Sequence, residues 1–130
     1  LAIVEREQKF AVYLLFMEST PRELLIYETE QGDAPFSSWL DSLRDREARA
    51  RIKKRLDRVA LGNFGDYRSV GDGIFELRID YGPGYRVYFA QVGMLILLLL
   101  CGGDKSTQNQ DIIQVKQFWA DFKQRGNANK

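Results

Sequence analysis

The stretch that decides the fold is Phe75-Glu76-Leu77-Arg78-Ile79-Asp80-Tyr81-Gly82-Pro83-Gly84-Tyr85-Arg86-Val87-Tyr88-Phe89. Phe75, Leu77, Ile79 and Tyr81 alternate with Glu76, Arg78 and Asp80, and Tyr85, Val87 and Phe89 alternate with Arg86 and Tyr88. Period two on both sides of Gly82-Pro83-Gly84 predicts a β-hairpin. Pairing Tyr81 with Tyr85 puts Asp80 opposite Arg86, Ile79 opposite Val87, Arg78 opposite Tyr88 and Leu77 opposite Phe89. All the apolar residues then share one face, and Glu76, Arg78, Asp80, Arg86 and Tyr88 share the other. Two neighbouring guanidiniums can grip a phosphodiester through planar, multi-donor hydrogen bonds, and a tyrosine beside them can stack on a base. The same face is equally what solvent-facing ion pairs, Asp80 with Arg86 and Glu76 with Arg78, would produce.

Around the hairpin the pattern changes. Met94–Leu100 is apolar throughout, as expected of a strand covered on both faces. Leu24–Glu30 reads as a strand with a charged tail suited to a sheet edge. After the Gln31-Gly32-Asp33 turn, with Asp33 as a cap, Phe36, Trp39, Leu40 and Leu43 mark a short amphipathic helix over Pro35–Leu43. A second helix is expected from about Asp45 to Leu61, with the stripe Ala48, Ile52, Leu56, Val59 and Ala60, stopped by Gly62. The two are expected to form a helical hairpin. A short strand is possible near Tyr67–Val70. Thr107 and Gln110 have capping-box spacing, and Ile112, Val115, Phe118, Trp119 and Phe122 form the stripe of a closing helix, with Gly126–Lys130 as a frayed tail. The order β-α-α-β-β-β-α predicts an α+β fold: the helical hairpin and the C-terminal helix packed on a small, twisted, mostly antiparallel sheet.

The chain has 130 residues, 45% apolar and 28% charged, which suits one globular domain. Residues 1–17 are read as an N-terminal extension, because Met17 is the first methionine and nothing before it has a clear period. Residues 18–130 are read as the domain. There is no histidine, which removes Ser-His, Cys-His and His-metal chemistries. The lone Cys101 excludes an intramolecular disulfide and a cysteine-built zinc site, and its place at the end of an apolar run predicts a buried thiol. The apolar runs are far shorter than the roughly 20 residues of a spanning helix, so no membrane association and a cytoplasmic location are expected.

Net charge is +1, but it is unevenly spread. Residues 1–33 carry three basic and seven acidic side chains, whereas residues 44–58 carry eight basic and three acidic ones. Arg49, Arg51, Lys53, Lys54 and Arg55 surround the apolar stripe of the second helix. Such a face suits phosphate backbones or an acidic partner, and equally a solvated helix surface. Gly102-Gly103-Asp104-Lys105-Ser106-Thr107 joins the apolar strand to the last helix. It is either an anion-binding helix N-terminus or a simple turn with a cap. It lacks the spacing of a Walker A loop.

Several blocks together resemble the RelE/ParE superfamily of bacterial toxins, and within it the HigB-like addiction module killer proteins. They are Pro35-Phe36-Ser37-Ser38-Trp39-Leu40, Ala50-Arg51-Ile52 with Arg55-Leu56, Gly62-Asn63-Phe64-Gly65-Asp66, Gly73–Ile79, Gly82–Phe89, Cys101–Gln108 and Asp111-Ile112. The resemblance spans about Leu24 to Lys123. It implies a RelE-like fold and the toxin of a type II toxin–antitoxin system. Many such toxins are mRNA interferases, ribosome-dependent endoribonucleases that need no metal or cofactor and cut mRNA by 2′-hydroxyl attack. The implied partners are a helix-turn-helix antitoxin (HigA-like) in a hetero-oligomeric complex, the ribosome and mRNA.

Carried over by position, Arg86 matches the phosphate-binding arginine, Arg78 a basic catalytic position, and Lys105 a basic residue after the last strand. Glu76 stands where some relatives carry a lysine, and Asp111 near a catalytic tyrosine. The base remains open among Asp111, Glu76 and Tyr88, in that order. Arg49, Arg51, Lys53, Lys54 and Arg55 would meet RNA or the ribosome. A ParE-like, non-enzymatic inhibitor of DNA gyrase, or an inactive toxin that only binds its antitoxin, are the other readings.

Overall fold

A computed structural model describes residues 20–128, so the proposed extension over residues 1–17 lies outside the described residues. Five strands form one mixed sheet in the order β1-β5-β4-β3-β2. They are β1 (Glu23–Ile26), β2 (Tyr67–Gly71), β3 (Ile74–Ile79), β4 (Tyr85–Val92) and β5 (Ile96–Asp104). β1 runs parallel to β5, and the other neighbours are antiparallel. Helices α1 (Pro35–Ser42) and α2 (Arg46–Ala60) follow β1, while α3 (Gln108–Ala128) closes the chain after a 3-10 turn at Lys105–Thr107. The chain is an α+β domain, with β1 on an edge as its charged tail suggested.

The strand periodicity feeds two cores. On one face Phe36 and Leu40 of α1 and Ala48, Ile52, Leu56 and Val59 of α2 pack on Leu77, Ile79, Val87, Phe89, Leu97 and Leu99. On the other face Val115, Ile112, Phe118 and Trp119 of α3 pack on Tyr27, Ile74, Tyr88, Ala90, Leu98 and Leu100. Removing each such side chain from water contributes about 1.5–3 kcal/mol. β3, β4 and β5 are therefore covered on both sides, as the unbroken apolar run in β5 requires. The Tyr27 hydroxyl donates to Asp121 Oδ2 at 2.5 Å and ties α3 to the segment after β1.

Several local expectations are corrected. The first strand stops at Ile26. The cap of α1 is Ala34, which has no side-chain cap bond, rather than Asp33. Asp45 caps α2, accepting from the Glu47 and Ala48 amides at 2.9 and 3.2 Å. The last capping box pairs Asp104 with Thr107 instead of Thr107 with Gln110. α3 runs on through Gly126 to Ala128, where a frayed tail was expected.

The hairpin register also differs. Ile79 faces Tyr85, Arg78 faces Arg86, Leu77 faces Val87, Glu76 faces Tyr88 and Phe75 faces Phe89. The slip is two residues, so each side chain keeps its expected face. Tyr81 leaves the ladder because α2 draws it away. Its hydroxyl donates to Asp45 Oδ2 at 3.0 Å, and the Arg51 guanidinium lies 4.4 Å from its ring centroid. Gly82 and Gly84, at φ of 55° and 82°, supply the left-handed conformations of the longer turn.

Candidate active site

The polar face of the hairpin is the face that α3 covers, so it is not the open surface that alternation suggested. α3 and the turn before it lie over Glu76 and Tyr88 and stop short of Arg78 and Arg86. Glu76 and Tyr88 are both fully buried. Glu76 accepts from Arg68 Nε at 2.9 Å and from Gln108 Nε2 at 2.8 Å, and its Oε1 is 3.7 Å from Arg86 Nε. Burial would raise its pKa, but the hydrogen bonds of Gln108 and Arg68 and the charge of Arg68 outweigh it and hold the carboxyl below its ordinary value. The Tyr88 hydroxyl is buried beside the Glu76 carboxylate. Burial, with the Glu76 charge adding to it, pushes this phenol far above its ordinary pKa. Tyr88 therefore cannot stack on a base, and neither group stands where a substrate could reach it.

Beyond this buried cluster opens a cleft of about 450 Å³. Asp66, Arg78, Asp80, Arg86, Lys105 and the Gly82–Gly84 turn line it. Three cations thus face two carboxylates, leaving one positive charge in excess. Arg78 is 42% exposed and donates through Nη2 to Asp66 Oδ1 at 2.9 Å. Arg86 is only 12% exposed, and its Nη1 donates to the carbonyls of Gly84 and Tyr85, both at 3.1 Å. The expected outward pair of arginines is thus one outward arginine, Arg78, and one wall arginine, Arg86. The Lys105 amide donates to the Gly84 carbonyl at 2.9 Å, which fastens the end of β5 to the turn and sets Lys105 at the rim.

Gly102 and Gly103 belong to β5 rather than to a loop, and close packing explains both. A Cβ on Gly102 would lie 2.1 Å from the Trp39 ring, and one on Gly103 would lie 1.9 Å from Asp111 Oδ2. Gly103 pairs with Arg86, so the Asp111 carboxylate hangs over the strand position next to Arg86. Thr107 Oγ1 donates to Asp111 Oδ2 at 2.6 Å. Burial raises the Asp111 pKa, and the hydrogen bond from Thr107 opposes it. Of the two readings of this helix start, the turn with a cap holds, because Asp104 Oδ1 accepts from the Ser106 amide at 2.8 Å.

The basic helix lies on the opposite face of the sheet and does not join this cleft. Arg51, Lys54, Arg55 and Arg58 line a second cleft of about 540 Å³ with Tyr81 and Asp80, and Asp80 borders both. Arg55 donates to the carbonyls of Arg78, Phe64 and Asp66 at 2.8, 2.7 and 2.9 Å. Arg49 donates to the Leu43 carbonyl. The Arg55 guanidinium is thus committed to main chain, and Arg49 gives one of its donors to main chain. Lys53 and Lys54 are exposed, and Arg51 pairs with Glu47 at 2.9 Å. Cys101 is partly buried, and burial, with Asp111 adding to it, pushes its thiol up to about 11.

Sequence reasoning missed Asp66, Arg68, Gln108 and Thr107 as partners in the site. Nothing local marks Arg68, because its contact with Glu76 depends on the β2–β3 register. The adjacent glycines Gly102 and Gly103 were the readable sign that something approaches β5 closely.

Among the described residues no His/Cys/Asp/Glu group could hold a metal ion, and no helix is long and apolar enough to cross a membrane. Fold and site together define a small α+β protein with a cation-lined cleft at the turn end of its β3–β4 hairpin. No protein-family model matches the chain. The chain is 57% identical over 81 residues to an uncharacterised protein of Haemophilus influenzae, covering 62% of this chain and 82% of that protein. It belongs to the same family as that protein.

Proposed function

We propose that this chain is the toxin of a type II toxin–antitoxin pair, with a RelE-like fold of the HigB-like group, and that it cleaves mRNA on the ribosome. The observation that carries this reading is the convergence of Arg78, Arg86 and Lys105 on one open cleft, from β3, β4 and the turn after β5. A phosphate seated there meets donors from several sides, as a pentacoordinate transition state with extra negative charge requires. The 2′-oxygen attacks the adjacent phosphorus and the bond to the 5′-oxygen breaks, leaving a 2′,3′-cyclic phosphate and a 5′-hydroxyl. Asp111 is the candidate for the 2′-proton, since it lies over Gly103, the cross-strand partner of Arg86, and its raised pKa favours accepting one. The proton for the leaving oxygen comes from solvent or from the ribosome. Lys53 and Lys54 serve ribosomal contact, and a helix-turn-helix antitoxin neutralises the toxin in a cytoplasmic hetero-oligomer.

Induction in a host without the antitoxin tests this. mRNA ends mapped on ribosomes should accumulate, and Arg78→Ala or Arg86→Ala should each slow cleavage roughly a hundredfold or more in a folded protein. Full toxicity of the folded double variant would refute the site. The burial of Glu76 and Tyr88 favours one second reading, a non-enzymatic gyrase inhibitor, because it takes two of three candidate bases out of a substrate's reach. Intact mRNA with a DNA-damage response would select that reading.

A further inference from the structure

Glu76 is unusual for a carboxylate: fully buried on β3, an inner strand of the sheet, on the face away from α1 and α2. It is bracketed by cations from both neighbouring strands. Arg68 of β2 is its direct cross-strand partner, and Arg86 of β4 lies diagonally across, two positions from its partner Tyr88. Gln108 closes the cluster from α3. Arg86 Nε is buried with no hydrogen bond and lies 3.7 Å from the Glu76 carboxylate, while Nη1 is turned back onto two carbonyls. With Nε and Nη1 facing inward, Nη2 is the donor left to meet a phosphate at the cleft wall. A buried carboxylate in this place has a structural cost unless it is compensated, and its charge is shared between Arg68, to which it is hydrogen-bonded, and Arg86, the arginine that lines the cleft.

We propose that Glu76 is a positioning residue, whose buried negative charge anchors the Arg86 guanidinium so that its outer edge faces the cleft. Arg68 and Gln108 hold the carboxylate for this task. The inference deepens the nuclease reading and rests on it for its consequence, although the placement of Arg86 can be measured separately. Neutralising Glu76 makes the cleft more positive and should tighten polyanion binding, but it should weaken cleavage because Arg86 is no longer held.

The test compares the full chain with Glu76→Gln and Glu76→Asp. The Arg86 Nε–H resonance is followed in nitrogen–proton correlation spectra of labelled protein, assigned with Arg86→Lys. The wild-type proton should exchange slowly and resonate away from the free-arginine position. Glu76→Gln should return it to that position while the backbone amide spectrum stays dispersed. On ribosomes, the single-turnover cleavage rate of Glu76→Gln should fall about tenfold or more, with affinity for a 2′-O-methyl RNA oligonucleotide equal or higher. An unmoved Arg86 resonance in folded Glu76→Gln overturns the proposal, and so does unchanged cleavage beside an active wild type. If Glu76→Gln does not fold, Glu76→Asp keeps the charge but shortens its reach, and an unmoved resonance there is equally fatal. A wild type that cleaves nothing sinks the nuclease reading, while the resonance still decides whether Glu76 holds Arg86.

Discussion

Replacing Gly102 with alanine tests how tightly α1 is seated on the sheet. The added Cβ would lie 2.1, 2.3 and 2.5 Å from three carbons of the Trp39 indole. Non-bonded carbons rest at about 3.5–4.0 Å, so the ring must retreat by roughly 1.5 Å. Trp39 has little room to do so, because it is packed against Phe36 and Tyr85 with centroids at 5.9 and 6.2 Å. Alanine in a strand would otherwise be favourable by about 0.5–1 kcal/mol, since glycine loses more backbone entropy on folding. Overpacking costs about 1–3 kcal/mol, and a rigid bicyclic ring lies at the upper end. The net expectation is a loss of about 2 kcal/mol, or a fall in Tm of about 6–10 °C for a chain of this size. Urea unfolding followed by tryptophan fluorescence and by circular dichroism gives the value. The decisive control is Trp39→Leu, in whose background Gly102→Ala should cost less than about 0.5 kcal/mol. A Gly102→Ala variant as stable as wild type would refute the reasoning, as would the same loss in both backgrounds.

The other expectations concern charged groups. Arg55→Lys should lower stability by about 2 kcal/mol in thermal melts, because one ammonium cannot serve the three carbonyls that the guanidinium spans; a change under about 0.5 kcal/mol would contradict that role. Asp111→Asn should be at least as stable as wild type at neutral pH. Burial raises this carboxyl's folded pKa, so its ionisation weakens the fold as pH rises through that raised value, and the amide escapes the loss. The same variant should cleave RNA roughly a hundredfold more slowly, and undiminished cleavage would remove Asp111 as the base. Glu76 has the opposite sign. Its folded pKa is lowered, so its contribution is present above the ordinary glutamate value and is lost as pH falls through the lowered one. Urea midpoints between about pH 2 and 6 should therefore fall less steeply in Glu76→Gln than in wild type. Some slope should remain, because Asp45 is also held below its ordinary value by its bond from the Ala48 amide.

The sequence by itself determined the class of the fold, the two helices of one face, the stripe of α3 and the sorting of the hairpin into an apolar and a polar side. These are matters of period, and period survives a register slip of two residues, as Glu76, Arg78, Arg86 and Tyr88 show by keeping their common face. Only the tertiary structure decided what that polar face is. Alternation says which side chains point together but not what lies above them, and α3 converts half of the face into an interior around Glu76 and Tyr88. The irregular pairing between Tyr88 and Phe89 is likewise invisible in the sequence. It leaves Leu100 as an extra residue in β5, so Leu98 and Leu100 share the α3 core with Cys101, and Gly103 comes to lie under Asp111. One unpaired residue thus places a carboxylate over the strand position that pairs with Arg86. Its position depends on contacts between strands and a helix far apart in the chain, which no local pattern of residues encodes.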